Sequence, residues 1–169
     1  TTVFLWWVSG FVRKERIKSA RQELLEENPL VSVIVPGRNE GENIYRLSNS
    51  LNEQTYQNFE LIIVDDGSDD HTKEICESLK KLKHIDLFLR NDVRGGKASA
   101  ANLGVRYARG EYIIHLDADC SYDREAIENI LMPFYMDEDI GAVGGNVQVR
   151  NYRDRMCATL QAIEYMDTI

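Results

Sequence analysis

The sequence predicts an α/β fold in which helices cover a mainly parallel sheet. From Leu30 onward, short runs rich in β-branched residues alternate with longer segments of helical period, which is the pattern of successive β-α-β units. Gly and Pro stand at the ends of several runs, as expected where strands and helices stop. The 169 residues, 43% of them apolar, are enough for one globular domain with a sizeable core. A second full domain is not expected.

The individual elements follow from the same periodicity. Five strands are expected, each a short apolar run, at residues 30–35, 61–64, 85–89, 112–116 and 142–149. Five helices are expected at residues 42–53, about 70–83, 97–109, about 123–132 and 155–169. The first strand is closed by Pro36, Ser68 or Asp69 can cap the second helix, Gly110 ends the third, and Pro133 follows the fourth.

Polar residues follow three of the expected strands. These clusters are residues 36–40, with the sequence Pro-Gly-Arg-Asn-Glu, the pair Asp65-Asp66, and the triplet Asp117-Ala118-Asp119. In open α/β sheets, ligands bind beyond the carboxyl ends of the strands. The three clusters therefore predict one binding site at one edge of the sheet.

The pair Asp117 and Asp119 is the candidate metal site. Two carboxylates at the end of a buried strand repel each other without a counter-ion. Such a pair can hold a hard divalent cation that keeps several waters and bridges substrate phosphates. A solvated turn is the alternative, as we expect for Asp137-Glu138-Asp139.

Asp66 and Lys97 are candidate ligands for a nucleotide. Asp66, at a strand tip, is expected to be free to accept hydrogen bonds from a base or ribose, although any strand-to-helix turn uses Asp, Ser and Gly. Lys97 follows Arg94 and two glycines, so it can bring positive charge and backbone N–H groups to a diphosphate, unless it is an ordinary surface lysine. Neither a P-loop nor a G-x-G-x-x-G turn is present.

Composition excludes several other functions. The net charge of −8 leaves no broad basic face for nucleic acid. Cys76, Cys120 and Cys157 are odd in number and lack C-x-x-C spacing, which argues against disulfides and a zinc site and favours a reducing compartment.

The N-terminus combines an apolar run with basic residues. Residues 3–8 are apolar and include Trp6 and Trp7, and five basic residues follow at Arg13, Lys14, Arg16, Lys18 and Arg21. Residues 1–12 are interpreted as the end of a transmembrane or interfacial helix and residues 13–29 as a basic juxtamembrane helix. The positive-inside rule then predicts an inner or plasma membrane protein whose domain of residues 30–169 is cytoplasmic. An amphipathic helix packed on its own domain is the alternative.

Four motifs together carry a family resemblance. They are the segments Val31-Ser-Val-Ile-Val-Pro-Gly-Arg-Asn-Glu40, Val64-Asp-Asp-Gly-Ser68, Gly96-Lys-Ala-Ser-Ala-Ala-Asn-Leu-Gly104 and Asp117-Ala-Asp119. In order and spacing, over about residues 30–169, the chain resembles inverting family 2 glycosyltransferases with the Rossmann-like GT-A fold. It looks most like the processive branch of hyaluronan, chitin, cellulose and poly-N-acetylglucosamine synthases.

The resemblance implies a role for each candidate residue. A nucleoside pocket would be lined by Pro36, Arg38 and Glu40, with Asp66 on the uracil. Lys97 and Asp117 would lie near the diphosphate and sugar of a UDP-sugar, and Asp119 would ligate Mg²⁺ or Mn²⁺. Gly144, Gly145 and Asn146 would border the glycan acceptor.

Two motifs of the processive enzymes are missing. After residue 139 the sequence has no Glu-Asp or Asp-Asp pair of the kind that supplies the catalytic base in those enzymes, and it has no Gln-x-x-Arg-Trp motif. The base is therefore expected downstream of residue 169, and the fragment alone is expected to be inactive. The expected reaction is transfer from a UDP-sugar to a growing polysaccharide with inversion. The alternatives are a non-catalytic nucleotide-sugar-binding or scaffold module, and a non-processive transferase acting on a lipid phosphate or protein acceptor.

Overall fold

The computed structural model describes the backbone of residues 2–145 and the side chains of residues 14–145. Four strands are present within this part of the chain, namely β1 (Val31–Gly37), β2 (Phe59–Asp65), β3 (Leu87–Arg90) and β4 (Tyr112–His115). The helices described are α1 (Thr2–Glu27), α2 (Gly41–Asn52), α3 (Thr72–Lys81), α4 (Lys97–Tyr107) and α5 (Ala126–Met136). Every strand and helix predicted before residue 140 is found, with ends shifted by a few residues.

The four strands form one sheet in the order β3-β2-β1-β4, and every pairing is parallel. In the register, Gly37 of β1 is opposite Asp65 of β2, and Ile34 of β1 is opposite His115 of β4. The predicted parallel α/β fold is therefore confirmed. The chain moves outward from β1 to β3 and then returns, through α4, to the other side of β1. This reversal creates a switch point between β1 and β4, where such sheets bind ligands.

Two apolar layers hold the helices against the sheet. Val31, Val33 and Val35 point into the layer that also contains buried residues of α1, α2, α3 and α5. Ile34 points to the opposite face, where it packs with Ala100 of α4. Because both faces are covered, β1 is a nearly continuous apolar run, as is usual for buried parallel strands.

The C-terminal half of α1 packs on the domain. Leu24 is fully buried in the main core, Arg21 forms an ion pair with the buried Glu128 of α5, and the Tyr135 hydroxyl donates to Glu27 at 2.7 Å. This packing agrees with the alternative of a packed helix for that half. The α1 backbone is continuous across residues 12 and 13, where the sequence suggested a boundary. Among the described residues, no helix is long and apolar enough to cross a membrane.

Pro133 lies inside α5 and does not follow it, so the prediction that this helix ends near residue 132 was wrong. A proline in a helix interior costs about 3 kcal/mol because it removes one N–H donor and crowds the preceding turn. Contacts beyond the proline offset this cost. The Phe134 ring packs on Tyr112, with centroids 5.2 Å apart, and Tyr135 is bonded to α1.

Two further predictions are corrected. The turn before α3 is not capped by Ser68 or Asp69, because the residue before the helix is His71 and Asp70 Oδ1 accepts the Thr72 N–H at 3.0 Å. Residues 142–145 form no strand. Backbone contacts divide the chain into units Thr1–Asp139 and Ile140–Ile169, and the rest of the last predicted strand and the predicted helix 155–169 lie outside the described residues.

Candidate functional site

The polar clusters that follow β1, β2 and β4 meet, as predicted, around one cavity of about 280 Å³. Its wall includes all seven candidate residues, which are Pro36, Arg38, Glu40, Asp66, Lys97, Asp117 and Asp119. Gly37, Arg94, Gly96 and Ala118 complete the lining. The cavity lies at the carboxyl ends of the strands, next to the switch point between β1 and β4.

Hydrogen bonds tie the turn after β1 to the turn after β2. Arg38 donates through Nε to the Gly67 carbonyl at 3.2 Å and forms an ion pair with Asp69 at 3.0 Å. Asn39, which has a left-handed backbone (φ 59°), donates its N–H to the Ser68 hydroxyl at 2.8 Å. The two turns thus form one rigid corner of the cavity, and the Ser68 hydroxyl serves this corner instead of capping α3.

Asp65 and Asp66 have separate roles although they are adjacent. Asp65 is fully buried, accepts the Ser68 N–H at 2.9 Å and pairs with Arg90, whose Nη1 lies 3.2 Å from Asp65 Oδ2. That oxygen accepts no hydrogen bond of good geometry within the described part of the chain, but the arginine charge compensates it. Asp65 therefore holds its own turn together and does not line the cavity.

Asp66 lines the cavity but is not the free acceptor that its position in the sequence suggested. It is 4% exposed. Its Oδ1 accepts the Asn91 side-chain amide and the Gly95 N–H, both at 2.9 Å, and its Oδ2 accepts the Gly96 N–H at 2.7 Å. The Asn91 bond, together with the glycine N–H groups and the nearby Arg94 charge, outweighs burial and lowers the pKa of Asp66. Asp66 is therefore a carboxylate near neutral pH.

Positive charge enters the cavity with α4. This helix begins at Lys97, directly after Gly96, whose φ of 84° favours glycine. Its first-turn N–H groups carry the positive end of the helix dipole. Lys97 forms an ion pair with Asp117 across the cavity, between side chains that are 59% and 47% exposed. This pair supplies the counter-ion that Asp117 was expected to need.

The turn after β4 holds the two candidate metal ligands. Tyr122 fixes its start, because its hydroxyl accepts the Asp117 N–H and donates to the Asp117 carbonyl, both at 3.1 Å. Asp119 is exposed, with the thiol of Cys120 3.7 Å from its Oδ1. In residues 14–145, no three His, Cys, Asp or Glu side chains are grouped so that they could hold a metal ion.

A site with only two carboxylates still fits one kind of ion. Mg²⁺ is usually bound by one or two carboxylates together with waters and substrate phosphates. Asp117 and Asp119 lie at the edge of an open cavity and offer these two carboxylates. In the structure Asp117 is paired with Lys97. The residues therefore fit a divalent cation that is shared with a phosphate ligand.

Comparison with known proteins identifies the family. The model of the family described as "Glycosyl transferase family 2" matches residues 32–162, most of the chain. This chain belongs to glycosyl transferase family 2. The poly-beta-1,6-N-acetyl-D-glucosamine synthase of Staphylococcus epidermidis is 34% identical over 182 aligned positions, which include 98% of this chain and 41% of the synthase. The family 2 chain thus spans less than half of the length of this relative.

Solved glycosyltransferases share the family 2 chain's fold. A mannosyltransferase from Pyrobaculum calidifontis, solved with GDP-Man and Mn²⁺, is 29% identical with a TM-score of 0.62 over 77% of this chain and 38% of its own. GalNAc-T7, solved with UDP, GalNAc and Mn²⁺, is 27% identical with a TM-score of 0.58 over 64% of this chain and 21% of its own. The predicted GT-A type of fold is confirmed by these likenesses.

Three residues of the family 2 site were not assigned a role from the sequence. Arg94 lines the cavity, Asn91 holds Asp66, and Tyr122 holds the backbone of Asp117. Only Arg94 had a signal, namely its position before two glycines and Lys97. Asn91 and Tyr122 act through contacts that no spacing rule encodes. Gly144, Gly145 and Asn146 were predicted to border an acceptor. Gly144 and Gly145 belong to the second unit, Ile140–Ile169, and Asn146 lies outside the described residues.

Proposed function

We propose that this chain is the donor-binding part of an inverting glycosyltransferase that transfers a sugar from a UDP-sugar to a growing polysaccharide. One observation carries the proposal. All seven residues that the sequence singled out line a single cavity at the switch point of the sheet, and the cavity contains both carboxylates and cationic groups.

The cavity can be divided between the parts of a nucleotide-sugar. Pro36, Arg38 and Glu40, beside the fixed corner of the β1 and β2 turns, would take the nucleoside. Asp66 could still accept one further hydrogen bond, from uracil, since a carboxylate offers about four lone-pair positions and three are used. The two solved relatives support a nucleotide-linked ligand, because one was solved with GDP-Man and the other with UDP.

The diphosphate would lie between α4 and the turn after β4. Lys97, Arg94 and the first N–H groups of α4 would neutralise its negative charge. Asp119 and Asp117 would hold Mg²⁺ or Mn²⁺, and both solved relatives contain Mn²⁺. When bound, such an ion stabilises the charge that develops on the departing diphosphate.

The acceptor half of the proposed reaction would use residues other than those that line the donor cavity. A sugar hydroxyl that attacks the anomeric carbon must lose its proton to a base. We assign that base to sequence beyond residue 169. The 34% identity to a polysaccharide synthase supports a glycan as the acceptor.

We also propose that residues 1–12 associate with a membrane and leave residues 30–169 on its cytoplasmic side. The support comes from the paired tryptophans and the basic residues that follow them. Lys14 and Lys18 are exposed and available to an anionic lipid surface.

The metal assignment is tested by titrating UDP into the chain in saturating Mn²⁺. We expect Asp119→Ala to weaken UDP binding by about tenfold or more, equivalent to about 1.4 kcal/mol, because the ion that joins the protein to the phosphates loses a protein ligand. Asp137→Ala is the matched control, since Asp137 is an exposed aspartate at the end of α5. Equal UDP affinity of wild type and Asp119→Ala would contradict the metal assignment, and absence of UDP binding by wild type would contradict the function.

A further inference from the structure

The connection between β3 and α4 is attached to the tip of β2 by one side chain. Asp66 accepts three hydrogen bonds from this connection, one near its start at Asn91 and two at its end, from Gly95 and Gly96. All three distances lie between 2.7 and 2.9 Å. A single buried carboxylate therefore binds both ends of the loop.

The end of this loop is the beginning of α4. Gly96 precedes Lys97 directly, and its N–H is bonded to Asp66 Oδ2. The position of Asp66 thus fixes where the helix starts and where Lys97 leaves the backbone. From that point Lys97 reaches Asp117 on the opposite wall of the cavity.

The backbone adds one further bond between the loop and the β2 turn. Asn91 donates its backbone N–H to the Asp65 carbonyl at 2.9 Å. Residues 92–95 are exposed, Val93 to 81%, so packing contributes little to the position of the loop. The hydrogen bonds from Gly95 and Gly96 to Asp66 therefore hold the end of the loop at the β2 turn.

We propose that Asp66 is a positioning residue for the diphosphate subsite: it holds Gly95 and Gly96 so that the N-terminus of α4 and Lys97 face the phosphates. This inference rests on the proposed function, because it assumes that the cavity binds a nucleoside diphosphate. It differs from a contact with the nucleobase, which would use the one acceptor position of Asp66 that the loop leaves open. The two roles predict losses of affinity for different ligands when Asp66 is changed.

The test is the variant Asp66→Asn, which keeps the shape but replaces one acceptor oxygen by an amide that opposes a backbone N–H. Calorimetry in saturating Mg²⁺ measures the binding of inorganic pyrophosphate, UDP and uridine to the whole chain. We expect pyrophosphate and UDP to bind about tenfold to a hundredfold more weakly, which is the usual weight of a hydrogen bond to a charged group. Uridine should lose no more than the one hydrogen bond that uracil would make to Asp66, which is about twofold to tenfold. Asp86→Asn is the matched control, because Asp86 also accepts a backbone N–H, that of Leu61 at 2.7 Å, but does not line the cavity.

A second measurement does not depend on ligand. The Gly95 and Gly96 amides should exchange hydrogen faster in Asp66→Asn than in wild type or Asp86→Asn, and unchanged exchange would overturn the inference. If Asp66→Asn does not fold, Asn91→Ala removes one of the three bonds and should give a smaller loss of pyrophosphate affinity; no loss would overturn the inference.

The remaining outcomes separate the inference from the proposed function. Loss of uridine binding with unchanged pyrophosphate binding would make Asp66 a base contact and overturn the positioning role. A wild-type chain that binds UDP but not pyrophosphate would also overturn it. A wild-type chain that binds no UDP would remove the proposed function itself.

Discussion

Replacing Glu60 by glutamine is expected to destabilise the domain without touching the cavity. Glu60 is 4% exposed near the start of β2. Its Oε1 accepts from the Ser32 hydroxyl at 2.6 Å and the Arg109 N–H at 2.7 Å, and its Oε2 accepts from Arg109 Nε at 2.8 Å and pairs with Nη2 at 2.7 Å. These contacts fasten the C-terminal connection of α4 to the sheet, while Lys97 begins the same helix at the cavity.

The size of the effect follows from which contacts glutamine loses. It keeps one acceptor oxygen for Ser32 and the Arg109 N–H, but its amide group faces the two guanidinium donors. A hydrogen bond to a charged group is worth about 1.5–3 kcal/mol, and breaking a buried ion pair costs about 3–5 kcal/mol. Because the Arg109 side chain is 72% exposed and can be rehydrated, we expect a loss of about 2–4 kcal/mol at pH 7.

The loss should also depend on pH. Burial alone would raise the pKa of Glu60, but the hydrogen bonds from Ser32 and Arg109 outweigh it and the pKa lies below its ordinary value of 4.5. A lowered pKa in the folded state stabilises the protein above the ordinary pKa, and this stabilisation is lost as the pH falls through the folded-state pKa. The difference between wild type and Glu60→Gln should therefore be full at pH 7 and shrink below pH 4.5.

Urea denaturation at several pH values measures this prediction, with m-values checked for equality. The control is Glu42→Gln, which also removes a glutamate paired with an arginine, Arg46, but at 3.8 Å on the surface of α2. Such an exposed pair is worth about 0.3–0.5 kcal/mol. The reasoning is refuted if Glu60→Gln has the wild-type midpoint at pH 7, or if its deficit stays constant down to pH 3.

Two other substitutions probe the placement of α4 and of the turn after β4. Gly104→Ala would bring a Cβ within 2.5 Å of Ile34 Cγ2, so we expect urea denaturation to show a loss of stability of about 1–3 kcal/mol. The control Gly141→Ala should lose less, because a Cβ there meets nothing within 4 Å. Equal losses of stability in the two variants would contradict the close approach of Gly104 to Ile34. Tyr122→Phe removes both hydrogen bonds to the Asp117 backbone. It should weaken UDP binding in Mn²⁺ and should also lower the free energy of unfolding by about 0.5–1.5 kcal/mol for each bond. Unchanged UDP affinity would mean that Tyr122 has only a structural role.

The sequence predicted the fold and the cavity because both depend on patterns that are local in the chain. The apolar run of β1 and the polar residues directly after it determine which side chains reach the edge of a parallel sheet. The state of Asp66 could not be predicted in this way, because its partners lie 25 to 30 residues further along the chain. Pro133 was misjudged for a similar reason, since a ring contact with Tyr112 supports the helix beyond the proline.

The continuous backbone of α1 determines how the domain can respond to anything that its N-terminus binds. A flexible linker would let the domain rotate freely, whereas a continuous helix holds the domain at a defined distance and angle. The half of α1 that carries Leu24 is fixed in the core, and the helix continues from Lys14 to Thr2, a further length of about 18 Å at 1.5 Å per residue. If Thr2 and its neighbours were bound to a membrane, the helix would therefore determine both the height of the cavity above the membrane surface and its tilt.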